Sequence, residues 1–318
     1  MTKVNTDVVD CGEHRFLQFN LWKDCNNNCE FCFYRGHKKL SVEKKLQSIE
    51  FVKDRLLDLE ESDFYNEVGL IGGEFFDNQI ENEEVKKAFY SIFDILKNKR
   101  DRNCLDRIYI TTNLIFDSNK LLRPFLDYIK SIDLLDITLL CTSYDLKYRF
   151  HNDTALAIWQ ENMKQISKDY NTMIHTEIIV TQAFINAVMN DSFNIEQFCS
   201  EFNTRIDYIE PSAGFYFYDK KACEQEVKDF FPRREDFLKF IKYTAIDNNF
   251  IDLTKFLSMK IRSDTLYCHL KGQWRKLEGR RSRYIKPTLD LYDVTYENGY
   301  CDSDKSMVED VNKFLGCI

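Results

Sequence analysis

Residues 15–22 read RFLQFNLW, and this short apolar and aromatic stretch is the first of six segments that decide the fold. Such a stretch is typical of a buried β-strand. Five further stretches of the same kind follow it along the chain. They are 67–71 (EVGLI), 107–112 (RIYITT), 135–141 (LDITLLC), 174–180 (IHTEIIV) and 205–210 (RIDYIE).

Segments with helical spacing of apolar residues lie between these strands. The predicted helices cover about 42–59, with Ser41 as N-cap, and about 85–96, 118–131, 154–168 and 194–202. Strands that alternate with helices form right-handed βαβ units, which build a parallel sheet that is either open or curled towards a barrel. We therefore expect an α/β fold.

The character of the sequence changes after about residue 215. Residues 1–215 carry the alternating strands and helices, and we predict that they form the core. Residues 216–318 hold one or two further helices and then irregular, tyrosine-rich sequence. We predict that 216–318 is a helical and irregular C-terminal extension that covers the substrate site.

Composition excludes several classes of protein. The 318 residues are 44% hydrophobic and contain only 10 Gly and 4 Pro, which is not the composition of a disordered or fibrous chain. The net charge of −8 argues against non-specific nucleic-acid binding, although RKLEGRRSR at 275–283 is locally basic. The sequence has no apolar run of membrane-spanning length and no N-terminal targeting segment, so we predict a cytoplasmic protein without a membrane partner.

Three cysteines, Cys25, Cys29 and Cys32, stand close together in LWKDCNNNCEFCFY (21–34), with C-x3-C-x2-C spacing. The segment directly follows the first strand, and loops at the carboxyl ends of parallel strands commonly carry functional groups. A structural zinc site normally needs four protein ligands, and only His37 is nearby as a fourth. Three thiolates also suit a [4Fe–4S] cluster, which then keeps one iron open for another ligand.

The spacing and its place after the first strand resemble the radical S-adenosylmethionine (radical SAM) superfamily. The resemblance covers roughly residues 15–215 and implies a partial (β/α)6 TIM-like barrel. It also implies an enzyme in which Cys25, Cys29 and Cys32 hold a [4Fe–4S] cluster that binds S-adenosylmethionine (SAM). In that family the reduced cluster cleaves SAM to a 5′-deoxyadenosyl radical, which abstracts hydrogen from a substrate. Phe31 matches the aromatic position that lies beside the adenine.

Further family motifs follow in the expected order at the ends of the second, third and fourth strands. Gly72, Gly73 and Glu74 resemble the family's GGE, which receives the amino group of SAM. Asn113 in TTNL matches the Asn of a frequent T-N-G, and because Leu114 replaces that glycine we expect a different turn. After the fourth strand, Ser143 and Arg149 match positions near the SAM ribose and carboxylate, and a planar guanidinium pairs well with a carboxylate.

The resemblance leaves the substrate open. We favour a peptide or protein side chain, with a nucleotide or nucleic acid as the alternative in the same class and a non-catalytic zinc-binding scaffold as the alternative of another class. An electron donor such as flavodoxin or ferredoxin is an implied partner. Cys268, Cys301 and Cys317 are too widely spaced for a full set of auxiliary clusters. Two alternatives are left for these cysteines: a single incomplete auxiliary cluster site, or thiols with a structural role only.

Overall fold

A computed structural model of the chain gives the fold. The structure describes residues 16–29, 32, 40–58, 67–77, 79–146, 149–209, 236, 239–240, 242–247, 283–285 and 293–296. The predicted site residue Phe31, the thiols of Cys268, Cys301 and Cys317, and most of the basic segment 275–283 lie outside these ranges.

Six parallel strands follow one another in spatial as well as chain order, which confirms the predicted α/β sheet. They are β1 (Phe16–Asn20), β2 (Glu67–Ile71), β3 (Arg107–Thr111), β4 (Thr138–Tyr144), β5 (Ile174–Ile179) and β6 (Thr204–Ile209). The sheet order runs from β6 through β5, β4, β3 and β2 to β1, and every neighbouring pair is parallel. An open sheet that is wound in one direction is consistent with a partial TIM-like barrel.

The helices lie between successive strands along the chain. They are α1 (Val42–Leu57), α2 (Glu83–Asp101), α3 (Leu122–Ser131), α4 (Asp153–Tyr170), α5 (Gln182–Met189) and α6 (Ile195–Phe202). Ser41 caps α1 as predicted, because its side chain accepts from the N–H of Lys44. Asparagines cap α2, α4 and α6 in the same way.

The two faces of the sheet differ sharply. One face is almost completely buried and mostly apolar, with Val68, Leu70, Ile108 and Ile110 in a single core that also contains the inward side chains of the helices. The other face, here called the polar face, is partly exposed. It carries Glu67, Tyr109, Thr111, Ser143, His175, Glu177 and Asp207, which share this face by their register across β2 to β6.

Two elements differ from the sequence-based prediction. The segment 135–141 was expected to be a strand, but Leu135–Ile137 form a turn of 3-10 helix and β4 extends from Thr138 to Tyr144. Helix α5, at Gln182–Met189, was not predicted at all. Its sequence QAFINAVM is apolar on most sides and only eight residues long, so it lacks the periodic polar face that marks a longer surface helix.

Parts of the predicted extension join this core. The strand β8 (Asp293–Tyr296) pairs antiparallel with β1, and β7 (Arg283–Ile285) pairs antiparallel with β8, which extends the sheet to eight strands among the described residues. A turn of π-helix covers Lys242–Asp247. Just before it, the fully buried Phe240 packs edge-on against Phe184 of α5.

Candidate functional site

The three cysteines belong to the segment that leaves the carboxyl end of β1. Cys25 is exposed, Cys29 is buried and Cys32 is partly buried, and a turn joins the last two through the Cys32 N–H and the Cys29 carbonyl (3.1 Å). Although Cys25 is exposed as a residue, desolvation of its sulfur by the surrounding protein raises the pKa of the thiol to about 11. Burial raises the pKa of Cys29 as well. The charge of Cys29 adds to the upward shift of the Cys25 pKa, and the charge of Cys32 adds to that of Cys29.

Amide groups point at two of the sulfurs. Asn27 donates from its backbone N–H to Sγ of Cys25 (3.4 Å) and from Nδ2 to Sγ of Cys29 (3.1 Å). Asn113 Nδ2 approaches Sγ of Cys25 at 3.5 Å. Donors of this kind stabilise sulfur in its thiolate form, which is the form that ligates a metal.

The turn Gly72–Gly73 supports this segment through direct backbone contact. The N–H of Gly73 donates to the Trp22 carbonyl (2.7 Å), and the N–H of Glu74 donates to the Asp24 carbonyl (2.8 Å). A Cβ at Gly72 would lie 2.3 Å from the Trp22 oxygen, and one at Gly73 would lie 1.7 Å from the Asp24 oxygen. Both glycines are therefore required for the close approach of two backbones, and Gly72 also has the left-handed φ of +146°.

Glu74 contacts the cysteine segment through its backbone N–H, and its side chain is completely buried. Its carboxylate accepts from the N–H groups of Phe76 (2.9 Å) and Asn113 (2.5 Å) and from the Thr112 hydroxyl (3.1 Å to each oxygen). Burial nevertheless raises the pKa of Glu74 to about 7, against the opposing effect of these donors and of the Arg149 charge. Glu74 thus connects the end of β2 to the end of β3.

Asn113 continues this chain of contacts from β3 to the cysteine segment. Its Nδ2 donates to Oδ1 of Asn26 (2.6 Å), while Asn26 Nδ2 donates to the carbonyl of Ile115 (2.7 Å). The next residue, Leu114, has φ of 58°, the left-handed conformation that favours glycine. Leu114 takes up this conformation although it carries a side chain, which is buried completely in the core. The expectation that the turn differs from that of T-N-G stays a prediction.

Arg149, which follows β4, contacts both Asn113 and the cysteine segment. It is 4% exposed, its Nη2 donates to the carbonyl of Asn113 (3.3 Å), and its own carbonyl accepts from Asn27 Nδ2 (3.3 Å). Its positive charge lowers the pKa of Cys29 and of Glu74 against the larger effect of burial. Among the described residues, the buried Nε of Arg149 finds no hydrogen-bond acceptor, so this guanidinium keeps one donor for an anionic partner.

The polar face adds a second group of side chains beside the site. Ser143 of β4 lies in register with Glu177 of β5, which lies in register with Asp207 of β6. Nδ1 of His175 is 2.8 Å from Oδ2 of Asp207. Burial raises the pKa of Glu177 to about 7, and the charge of Asp207 raises it further while Arg149 opposes the shift.

The structure brings most of the residues predicted from the sequence into one contact network. The network contains Cys25, Cys29, Cys32, Gly72, Gly73, Glu74, Asn113 and Arg149. Ser143 lies apart from it on the polar face, with Glu177 as its neighbour. Three ionisable residues near the site were not predicted from the sequence. They are Asp24, Lys45 and Glu177, and no motif distinguishes them from the other residues of their loop, helix and strand.

No group of three or more His, Cys, Asp or Glu side chains in the described ranges is arranged to hold a single metal ion. Within the same ranges, none of the helices combines the length and the apolar character that crossing a bilayer requires.

Comparison with known proteins gave distant likenesses only. No protein family matches the chain, and no curated protein matches it. Among solved structures, Streptococcus suis SuiB aligns with 74% of this chain at a TM-score of 0.43, and HydG, a maturase of the [FeFe]-hydrogenase, aligns with 72% at 0.40. Identity is 12% in both cases, and the chain spans about half the length of each, 48%. At these scores the likeness is too remote to transfer a site or an activity.

Proposed function

We propose that this chain is a radical SAM enzyme. The observation that supports the proposal most strongly is the convergence of the predicted motifs at one end of the sheet. The cysteine segment after β1 rests on Gly73 after β2, contacts Asn113 after β3 and is held from the far side by Arg149 after β4. These residues are far apart in sequence, and a chance three-cysteine spacing would not require them to meet.

The donor set fits an iron–sulfur cluster. Cys25, Cys29 and Cys32 supply three thiols, and amide donors from Asn27 and Asn113 point at two of the sulfurs. Because burial raises the pKa of Cys25 and Cys29, these thiols are protonated at neutral pH unless a bound cation keeps them as thiolates. A [4Fe–4S] cluster with SAM would supply one-electron reductive cleavage of the sulfonium and a radical that abstracts hydrogen.

Arg149 is the group best placed to receive an anionic part of the cofactor. Its buried Nε has no acceptor in the part of the chain that the structure describes, and a carboxylate such as that of the SAM methionyl group would satisfy it. We propose that Arg149 binds this carboxylate, while Phe31, Gly72, Gly73, Glu74, Asn113 and Ser143 keep the SAM-contact roles predicted above. In Glu74 both carboxylate oxygens already accept hydrogen bonds from the chain, so its main action is to hold Asn113.

We further propose that the substrate, a peptide or protein side chain, meets the cofactor at the polar face, and that residues 216–318 help to enclose it around the core of 1–215. Glu177 and Asp207 on that face favour a substrate group that donates hydrogen bonds or carries positive charge. The proposed electron donor, a flavodoxin or ferredoxin, would reach the exposed Cys25 side of the site.

The test is anaerobic reconstitution with iron and sulfide, followed by reduction in the presence of SAM and quantification of 5′-deoxyadenosine by mass spectrometry. Wild-type protein is expected to bind about four iron and four sulfide per chain and to form the product. Cys29→Ala should lose both properties. Cys199→Ala removes a partly buried thiol on α6 instead, and it should behave like wild type.

Other outcomes overturn the proposal. If Cys29→Ala still forms 5′-deoxyadenosine, the cluster assignment is wrong. If purified wild-type protein carries zinc without sulfide and never cleaves SAM, the chain is a zinc-binding scaffold and not a radical SAM enzyme.

A further inference from the structure

Lys45 stands out on α1 because it lies on the apolar face of the helix. The buried positions of α1 are Lys45, Ser48, Ile49, Val52 and Leu56, with the spacing of a core-facing stripe. Lys45 is 3% exposed. A lysine is rarely buried to this degree unless its charge has a partner.

The ammonium group of Lys45 is fully engaged inside the protein. Nζ donates to Oε1 of Gln79 (2.5 Å) and to the Gln79 carbonyl (3.2 Å), and it lies 3.4 Å from Oδ2 of Asp24. It also lies 5.4 Å from the centre of the Trp22 ring. Trp22 and Asp24 belong to the chain that leads from β1 into the cysteine segment, so α1 contacts this segment through a charged side chain.

Asp24 uses its carboxylate to join the two ends of the cysteine segment. It directly precedes Cys25, it is 4% exposed, and both of its oxygens accept from the N–H of Leu40 (2.8 and 3.0 Å). All three cysteines lie between Asp24 and Leu40 in the sequence. The backbone carbonyl of Asp24 is held separately by the N–H of Glu74 (2.8 Å).

We propose that Lys45 is the positioning residue of the cysteine segment, acting through Asp24. Lys45 compensates the charge of the buried Asp24 carboxylate. Asp24 in turn accepts from the N–H of Leu40, and this contact joins the two ends of the segment that carries the cysteines. Without Lys45 the buried carboxylate loses the cation that pairs with it among the described residues, and it gains by turning towards water and releasing Leu40. The first part of this proposal is independent of the proposed function, and the part that concerns cluster retention rests on it.

The first test measures hydrogen exchange of single backbone amides in the metal-free protein. Lys45→Met should speed exchange of the Leu40 N–H at least tenfold, because a charge-assisted hydrogen bond is lost. The N–H of Val52, in the interior of α1, should exchange at the wild-type rate. Lys53→Met, which removes a partly exposed partner of the exposed Glu50 on the same helix, should change neither amide.

Two results of this test would overturn the proposal. Wild-type exchange at Leu40 in Lys45→Met would show that the lysine does not hold the segment. Equal acceleration at Leu40 and Val52 would show only a loss of global stability. Should Lys45→Met not fold, Lys45→Gln removes the charge while keeping a polar group beside Gln79 and leaves Asp24 unchanged. It should also exchange faster at Leu40, and a wild-type rate there would refute the role.

The second test measures iron release from the reconstituted protein to a chelator, with the electron paramagnetic resonance spectrum of the reduced protein. Lys45→Met should lose iron about tenfold faster than wild type and show an altered spectrum, whereas Lys45→Arg, which keeps the charge, should largely restore both. Wild-type retention in Lys45→Met refutes the positioning role. If wild type itself binds no iron, the proposed function fails, while the exchange test still decides whether Lys45 closes the segment.

Discussion

Replacing Gly73 by alanine should detach the cysteine segment from the sheet. An ideal Cβ at this position lies 1.7 Å from the carbonyl oxygen, 2.4 Å from the carbonyl carbon and 2.9 Å from the nitrogen of Asp24. All three atoms are backbone, so no side-chain rotation relieves the overlap. Real Cβ atoms stay beyond 3.0 Å from such neighbours, and the two chains must therefore separate by about 1.3 Å.

A displacement of that size breaks two hydrogen bonds. The Gly73 N–H to Trp22 carbonyl bond (2.7 Å) and the Glu74 N–H to Asp24 carbonyl bond (2.8 Å) both cross the contact. Leaving buried backbone groups without partners costs about 1–3 kcal/mol for each group. Part of that cost is recovered by water that enters the gap, so we expect Gly73→Ala to lower the free energy of unfolding by about 3–5 kcal/mol.

Urea denaturation of the metal-free protein measures this loss, and iron content after reconstitution measures the effect on the site. Gly73→Ala should lose both stability and iron. Lys120→Ala, at an exposed position near the same end of the sheet, should lose neither. If Gly73→Ala unfolds within about 1 kcal/mol of wild type and retains its iron, the close backbone contact does not hold the segment, and the reasoning fails.

Three further predictions concern neighbouring residues. The pKa of Glu74 is raised from 4.5 to about 7, so between these values the folded chain keeps a proton that the unfolded chain has lost, and stability should fall by about 3 kcal/mol as pH rises. Glu74→Gln should remove roughly half of the measured slope, because Glu177 titrates in the same range; an unchanged slope contradicts the assignment. Leu114→Gly should be destabilising by about 2 kcal/mol in urea, since lost burial outweighs relieved strain, whereas Asn171→Gly, at an exposed left-handed position, should be neutral. Asn113→Asp should lower the midpoint potential of the reconstituted protein in a redox titration, because a negative group replaces the donor that faces Cys25; an unchanged potential contradicts that contact.

The six parallel strands were predictable because each is a short apolar run between helices of clear period. The limits of β2 agree with the prediction residue for residue, and those of β3 differ by one. The predicted start of β4 was wrong because a short apolar stretch such as Leu135–Ile137 is compatible with both a helical turn and a strand. Composition alone does not separate these conformations over three residues.

The residues of the candidate site could be predicted where their type and spacing alone suggest a function. They could not be predicted where the function depends on contacts with residues distant in sequence. Three cysteines at fixed spacing indicate a metal centre from the sequence alone. Lys45 carries no such signal, since a lysine in an amphipathic helix is normally assigned to the solvent side. The conformation of Leu114 was not predictable either, because nothing in the sequence indicates that a leucine with a completely buried side chain takes up a left-handed φ.

The two glycines after β2 show how a motif acquires its meaning from the fold. From the sequence, Gly72 and Gly73 resembled part of the motif that receives the amino group of SAM. In the structure the atoms that approach them most closely are the carbonyls of Trp22 and Asp24, which lead into the cysteine segment. Gly72 and Gly73 must therefore lack side chains first of all because the backbone that leads to the three cysteines packs directly against them. A contact with a cofactor would depend on this packing. This order explains why one methyl group at Gly73 should cost iron as well as stability, although Gly73 has no atom that ligates a metal.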